Sequence, residues 1–169
     1  EGEAFFDVKS DSDRPFVVKS GPLSTSVLGT SFNIEAYPED LDMTVTVATG
    51  KVEVSLENTQ QKKMLEPNQQ VRYDSENGLS EVSQADASFA KAWTQKELIF
   101  MRDSFATIAR TFERWYGVEF VFESEELKGE EFVYHFKELS LRNSMSVLKE
   151  LADFEYRIDD QKVYIKQSK

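Results

Sequence analysis

Cysteine is absent from the 169 residues, which excludes a disulfide framework, a thiolate zinc site and a cysteine nucleophile. Histidine occurs once, at position 135, and the sequence offers it no positioned nucleophile or orienting group from which a triad could be built. Long hydrophobic runs are missing too: no stretch approaches the roughly 20 apolar residues that span a bilayer. The acidic start Glu1-Gly2-Glu3 is not a signal peptide. The chain is therefore expected to be a soluble piece of a longer protein. Basic residues are in the minority, 20 against 31 acidic, for a formal net charge of −11. Such a field repels phosphate backbones and anionic membrane surfaces, so nucleic acid is not an expected partner. The acidic residues are interspersed with lysine and arginine, the pattern of a solvated surface rather than of an acidic tail.

Apolar material is sufficient. Hydrophobic residues make up 40% of the chain, with 13 Phe, 6 Tyr and 2 Trp, enough to bury one ordinary core or two small ones. In the first half, residues 4–8, 15–19, 24–28, 31–37, 44–48, 51–56 and 70–73 are rich in β-branched and aromatic residues that often alternate with polar ones. Turn formers such as Ser20-Gly21-Pro22, Thr49-Gly50, Glu66-Pro67-Asn68 and Asn77-Gly78 separate them. Strands at this spacing, with no long helical pattern, predict an all-β twisted sandwich or solenoid-like stack. Gly29 interrupts a good strand pattern, as at a bulge or a close backbone approach. Residues 80–91 are small and polar, so the expected division is a first module over 1–86, a linker over 87–91 and a second module over 92–169.

The second module repeats itself at an offset of 36: Phe100 falls on Phe136, Ser104 on Ser140, Phe105 on Leu141, Ala109 on Met145, Phe112 on Leu148 and Trp115 on Leu151. The register continues from 118–122 into 154–158. Two copies of one supersecondary unit follow. Strands are expected over 97–102 and 131–137, and each leads into a helix with apolar residues at i, i+4, i+7 and i+10. Ser104 and Ser140 are placed as N-caps and Gly117 as the left-handed C′ residue. A strand closes each copy and 162–167 adds one more. The fold class is α+β, with a double βαβ module whose two helices cover one face of a small sheet.

Candidate chemistry is sparse. His135 alternates away from the apolar 132, 134 and 136 and falls beside Val133 and Lys137. The acidic pairs at 125–126, 130–131 and 159–160 read as solvated turns. Asp11-Ser12-Asp13 lacks the glycine and bidentate glutamate of a calcium loop. The stripe Phe105, Phe112 and Trp115 reads as core. Neither metal, cofactor nor catalytic residue is expected. In the last strand Val163 and Ile165 are expected to face the helices, leaving Lys162, Tyr164 and Lys166 on an open face. These three, with Tyr156, are the expected partner-binding residues, through β-augmentation of the sheet or its edge. A carbohydrate-binding β-sandwich of the cell envelope is the alternative, and it requires an exposed row of aromatics on the first module.

Gly2-Glu3-Ala4-Phe5-Phe6-Asp7-Val8, Arg14-Pro15-Phe16-Val17-Val18, Val27-Leu28-Gly29-Thr30-Ser31-Phe32-Asn33-Ile34 and Gly50-Lys51-Val52-Glu53-Val54 resemble, in order and spacing, successive signature segments of the FecR family of membrane-anchored anti-sigma regulators. Trp93, Leu98-Ile99-Phe100 and Glu113-Arg114-Trp115-Tyr116-Gly117-Val118 resemble the C-terminal domain of FecR proteins from the Bacteroidetes lineage. That domain is similar in plan to the secretin and TonB N-terminus domain, itself a double βαβ. Asn68, Lys96 and Tyr134 stand where the family pattern has glycine. The resemblance implies a periplasmic receiver that is not an enzyme. Its implied partners are the N-terminal signalling domain of a TonB-dependent outer-membrane transporter, taking up iron or glycan, and an ECF sigma factor reached through a cytoplasmic segment. The membrane is implied only through a helix upstream of Glu1.

Overall fold

The computed structural model describes residues 1–40, 42–138 and 140–168. The chain forms two compact units, Glu1–Gln95 and Lys96–Lys169.

The first unit is a sandwich of two antiparallel sheets, as its alternating strands require. One sheet has the order β1 (Gly2–Asp7), β4 (Ser31–Ala36), β5 (Asp42–Thr49), β8 (Gln69–Asp74), β10 (Ser83–Gln84), with β9 (Gly78–Leu79) paired to β8. The other has the order β2 (Phe16–Ser20), β3 (Leu23–Val27), β6 (Val52–Leu56), β7 (Lys62–Leu65). Leu23, Val27, Val52, Val54 and Leu65 from one sheet meet Phe32, Ile34, Val45, Val47 and Val71 from the other, all nearly inaccessible to solvent.

The chain changes sheet between β3 and β4 and again between β5 and β6, and both corners require glycine. Gly29 has φ +146°, and a Cβ there would stand 2.4 Å from the Ser10 Cα. Gly50 has φ +75°, and its Cβ would stand 2.7 Å from Thr30 Oγ1 and 2.8 Å from the Gly29 carbonyl oxygen. Thr30 Oγ1 donates to the Lys51 carbonyl (3.0 Å), so the two corners are bonded to each other. Gly29 therefore marks a close backbone approach.

Residues 87–91, read from sequence as the linker, hold a single helical turn, α1 (Ala87–Ala90), followed by a 3-10 turn at Ala92–Gln95. Asp86 caps α1 by accepting from the Ser88 amide. Both turns belong to the first unit, and Ala87 and Ala92 are buried there.

The second unit holds β11 (Glu97–Ser104), α2 (Phe105–Tyr116), β12 (Glu119–Phe122), β13 (Glu131–Lys137), α3 (Leu141–Leu151), β14 (Phe154–Asp159) and β15 (Lys162–Gln167), with a 3-10 turn at Glu126–Gly129. The repeat is present as two strand-helix-strand copies. Ser104 Oγ accepts from the Thr107 amide and Ser140 Oγ from the Asn143 amide, satisfying amides that the first helical turn leaves orphaned. Gly117 ends α2 at φ 67°.

Two expectations are corrected. The strands do not form one sheet: β11 pairs with β13 as an antiparallel ribbon, and β12, β15 and β14 form a separate three-stranded sheet. Each copy's leading strand pairs with the other copy's leading strand, and the trailing strands are joined through β15, so neither strand-helix-strand copy pairs its own two strands. The helix stripe also shifts. Phe105, Ala109 and Phe112 are buried, but Trp115 is 37% exposed and its repeat mate Leu151 53%. At ~100° per residue the i+10 position has rotated roughly 80° from the first, and Ile108 takes the buried place. Phe105 lies 5.2 Å from Phe132 and Phe112 5.5 Å from Phe136, edge to face, in one continuous aromatic core.

Candidate partner-docking face

The three-stranded sheet of the second unit has a covered side and an open side. Val163 and Ile165 on β15 and Phe154 on β14 are buried in the core. On the other side, register sets three rows across the strands. Glu119, Lys162 and Asp159 form one, Val121, Tyr164 and Arg157 the next. Lys166 and Glu155 form the third, with Glu123 beside them lining a shallow groove of about 260 Å³ that also meets Tyr156, Arg157 and Tyr164.

Charge is paired along these rows. Lys162 Nζ meets Glu119 Oε2 at 3.0 Å and Lys166 Nζ meets Glu155 Oε2 at 3.0 Å. Each carboxylate holds its lysine above the usual ammonium range, chiefly through the hydrogen bond. Arg157 Nη1 donates to Asp159 Oδ2 (2.6 Å), and its guanidinium carbon lies 4.6 Å from the centre of the Tyr164 ring, a cation–π contact. The middle of the face is thus an aliphatic, an aromatic and a guanidinium side by side, flanked by exposed ion pairs.

Of the four expected partner-binding residues, Lys162, Tyr164 and Lys166 share this face. Tyr156 borders the groove, though in strand alternation it falls on the covered side of the sheet. It pairs with Ile165 in register, packs against the core, and its hydroxyl lies 3.1 Å from Ser146 Oγ on α3. Strand β15 is also central rather than terminal in the sheet, so its main chain is already bonded on both sides. Its lysines do not guard an edge, and a strand could be added only at the outer edges of β12 or β14 among the described residues. Sequence reasoning missed Arg157, Val121 and the carboxylates. The repeat does align residue 121 with 157, but only knowledge that β15 inserts between the two trailing strands brings them into one row.

The other titratable groups are dispersed. His135 Nε2 lies 2.6 Å from Glu97 Oε2, and Lys137 Nζ lies 3.2 Å from Glu97 Oε1, on the exposed side of the ribbon with Val133. Hydrogen bonding by His135 first, then by Lys137, holds the Glu97 carboxyl below its ordinary range. Asp11 pairs with Arg14 at 2.7 Å and Glu125 with Lys128 at 2.7 Å. No group of three or more ligating side chains among the described residues is placed to hold a metal ion. The large exposed aromatics of the first unit, Phe16 and Phe89, belong to different elements, β2 and α1, and these two form no row among the described residues. Among the described residues no helix is long and apolar enough to cross a membrane.

The chain is thus an antiparallel sandwich in series with a duplicated strand-helix-strand module whose three-stranded sheet has an open face. Residues 1–53 match the family described as FecR protein, and residues 97–165 the family described as FecR, C-terminal. The fold is similar to that of a protein provisionally described as an anti-sigma factor from Parabacteroides distasonis ATCC 8503. Two crystal structures of it match with TM-scores of 0.87 and 0.86 at 31% identity, over 100% of this chain and 79% and 78% of those chains. No curated protein sequence matches. The chain belongs to the FecR family of anti-sigma factors.

Proposed function

We propose that this chain is the periplasmic, signal-receiving segment of a membrane-anchored anti-sigma factor. It binds the N-terminal signalling domain of a TonB-dependent outer-membrane transporter. The event passes along the chain toward a membrane helix upstream of Glu1 and on to an ECF sigma factor held by a cytoplasmic segment. The observation that carries the reading is the open face of β12, β15 and β14. Aromatic and arginine side chains dominate binding hot spots, and Tyr164 and Arg157 stand together at its centre. Exposed ion pairs such as Lys166 with Glu155 are worth little on their own, so they exchange readily for pairs with a partner and align it. The partner transmits a signal only by binding one conformational state of the receiver more tightly than another, because equal binding shifts nothing.

Calorimetric titration of the whole chain with a purified transporter signalling domain tests the reading. Measurable heat is expected, and Tyr164→Ala weakens binding by about tenfold or more, ~1.4 kcal/mol, with thermal stability unchanged. Absence of heat and of a shift in elution with the unaltered chain rules out the relay. Undiminished affinity in Y164A rules out this face.

A further inference from the structure

The outer face of the six-stranded sheet holds a part-buried polar chain, centred on the buried Asn33, that the relay reading does not use. Asn33 on β4 is 1% exposed, and its register neighbour Thr46 on β5 is 4% exposed, although strict alternation turns both away from the sandwich core. The segment carrying Ala87, Ala92 and Trp93 covers them. Asn33 Oδ1 accepts from Trp93 Nε1 at 3.2 Å, and Asn33 Nδ2 donates to Glu3 Oε1 on β1 at 2.8 Å. The Tyr37 hydroxyl donates to the other oxygen, Oε2, at 3.3 Å. An indole can only donate and a carboxylate can only accept, so the amide between them is held in one orientation and cannot flip without losing both bonds.

From this geometry, and resting on the relay proposed above, we infer that the chain Trp93–Asn33–Glu3 couples the end of the first unit to its N-terminal strand. Trp93 stands just before the division after Gln95, and Glu3 lies in the strand nearest the anchor that the relay requires. If the indole N–H is lost while the covering segment stays in place, the Asn33 amide oxygen is left unpaired under that cover, which is costly. Asn33 and Glu3 must then rearrange, and the pairing of β1 with β4 feels it. Trp93, Asn33 and Glu3 are positioning residues: they touch no partner, and their function is to make the two ends of the unit change together.

A double-mutant cycle on the whole chain tests the coupling, using urea unfolding of Trp93→Phe, Glu3→Gln and the pair. Trp93 and Glu3 do not bond each other directly, so independent roles give effects on the unfolding equilibrium constant that multiply. Coupling through Asn33 makes the double mutant depart from that product by threefold or more. Hydrogen exchange supplies the second readout. W93F is expected to speed exchange of the β1 amides, Gly2–Asp7, and to leave the β6 and β7 amides unchanged. Effects that multiply, or faster exchange confined to residues 87–95, overturn the inference and leave Trp93 a local fastening. Should W93F fail to fold, E3Q gives the reciprocal measurement: faster exchange of the Trp93 indole N–H supports the coupling, and an unchanged rate overturns it. Neither readout involves a partner. Failed titration with a transporter domain would sink the relay and leave this result standing.

Discussion

Single positions divide into those where geometry forbids a side chain and those where it only disfavours one. Gly29 and Gly117 both have positive φ, but a Cβ at Gly29 would overlap the Ser10 main chain, whereas one at Gly117 meets nothing within 4 Å. Gly29→Ala is therefore expected to cost about 2–4 kcal/mol and Gly117→Ala about 1 kcal/mol, read as shifts in urea midpoint at unchanged m-value. Lys96 presents the opposite case. It is held at φ 60° where the family pattern has glycine, and its carbonyl accepts from the Glu138 amide at 3.0 Å. Lys96→Gly relieves the left-handed cost and is expected to stabilise by about 0.5 kcal/mol. Tyr134, the other departure in this unit, lies in the regular part of β13 and is absent from the positive-φ residues. Glycine positions were legible because turn and corner geometry is a local demand. That Gly29 meets Ser10 was not, because that contact crosses between two loops.

The Glu97 carboxyl is held below its ordinary range by His135 and Lys137, which fixes the sign of one pH effect. A depressed folded-state pKa stabilises fully above the unfolded value and is lost as pH falls through the folded value. Glu97→Gln should therefore flatten the acid limb of the stability curve below the ordinary glutamate range. Acid titration of the unfolding midpoint, followed by circular dichroism, checks it. An acid limb as steep in E97Q as in the unaltered chain would assign the loss to other carboxylates such as Asp74 and Asp86, which their own hydrogen bonds also hold low.

Elements were legible where periodicity alone decides them. The capped starts of α2 and α3 and most strands of the first unit follow from period and punctuation. Strand β7 did not, because Lys62-Lys63-Met64-Leu65 has two lysines and no alternation. It is an edge strand, where lysine is suited to discourage further pairing. Pairing order was the larger gap. Nothing local in 162–167 says that it inserts between β12 and β14, since sheet order is a long-range choice, and the expected binding set therefore omitted Arg157. The helix stripe gives a direct test of scale. Phe112 is fully buried and Trp115 is at the rim, so Phe112→Ala is expected to cost about 3–5 kcal/mol and Trp115→Ala less than about 1 kcal/mol in chemical unfolding. A reading from spacing alone ranks the two equally.

At the scale of the whole molecule, the two compact units bury two separate hydrophobic clusters, one within each. Composition had sufficed for two small cores, and the small, polar stretch 80–91 led to an expected linker at 87–91, whereas the compact units divide after Gln95. What composition could not show is that residues 87–95 are laid onto a sheet whose outward positions, Asn33 and Thr46, read as solvent-facing. The continuity of the second core has a measurable consequence. Cutting the chain after Gln95 leaves that aromatic cluster whole, so residues 96–169 alone are expected to unfold cooperatively, followed by fluorescence of Trp115. A unit of roughly 70 residues with no disulfide or metal has a stability of only about 3–5 kcal/mol. The Phe112→Ala cost is of the same size, so F112A in that fragment should abolish the cooperative transition altogether, where a substitution at the exposed rim such as L151A leaves it. A fragment that is already molten without any substitution would show that this core does not suffice by itself, and that the second unit depends on residues before Lys96 for its fold.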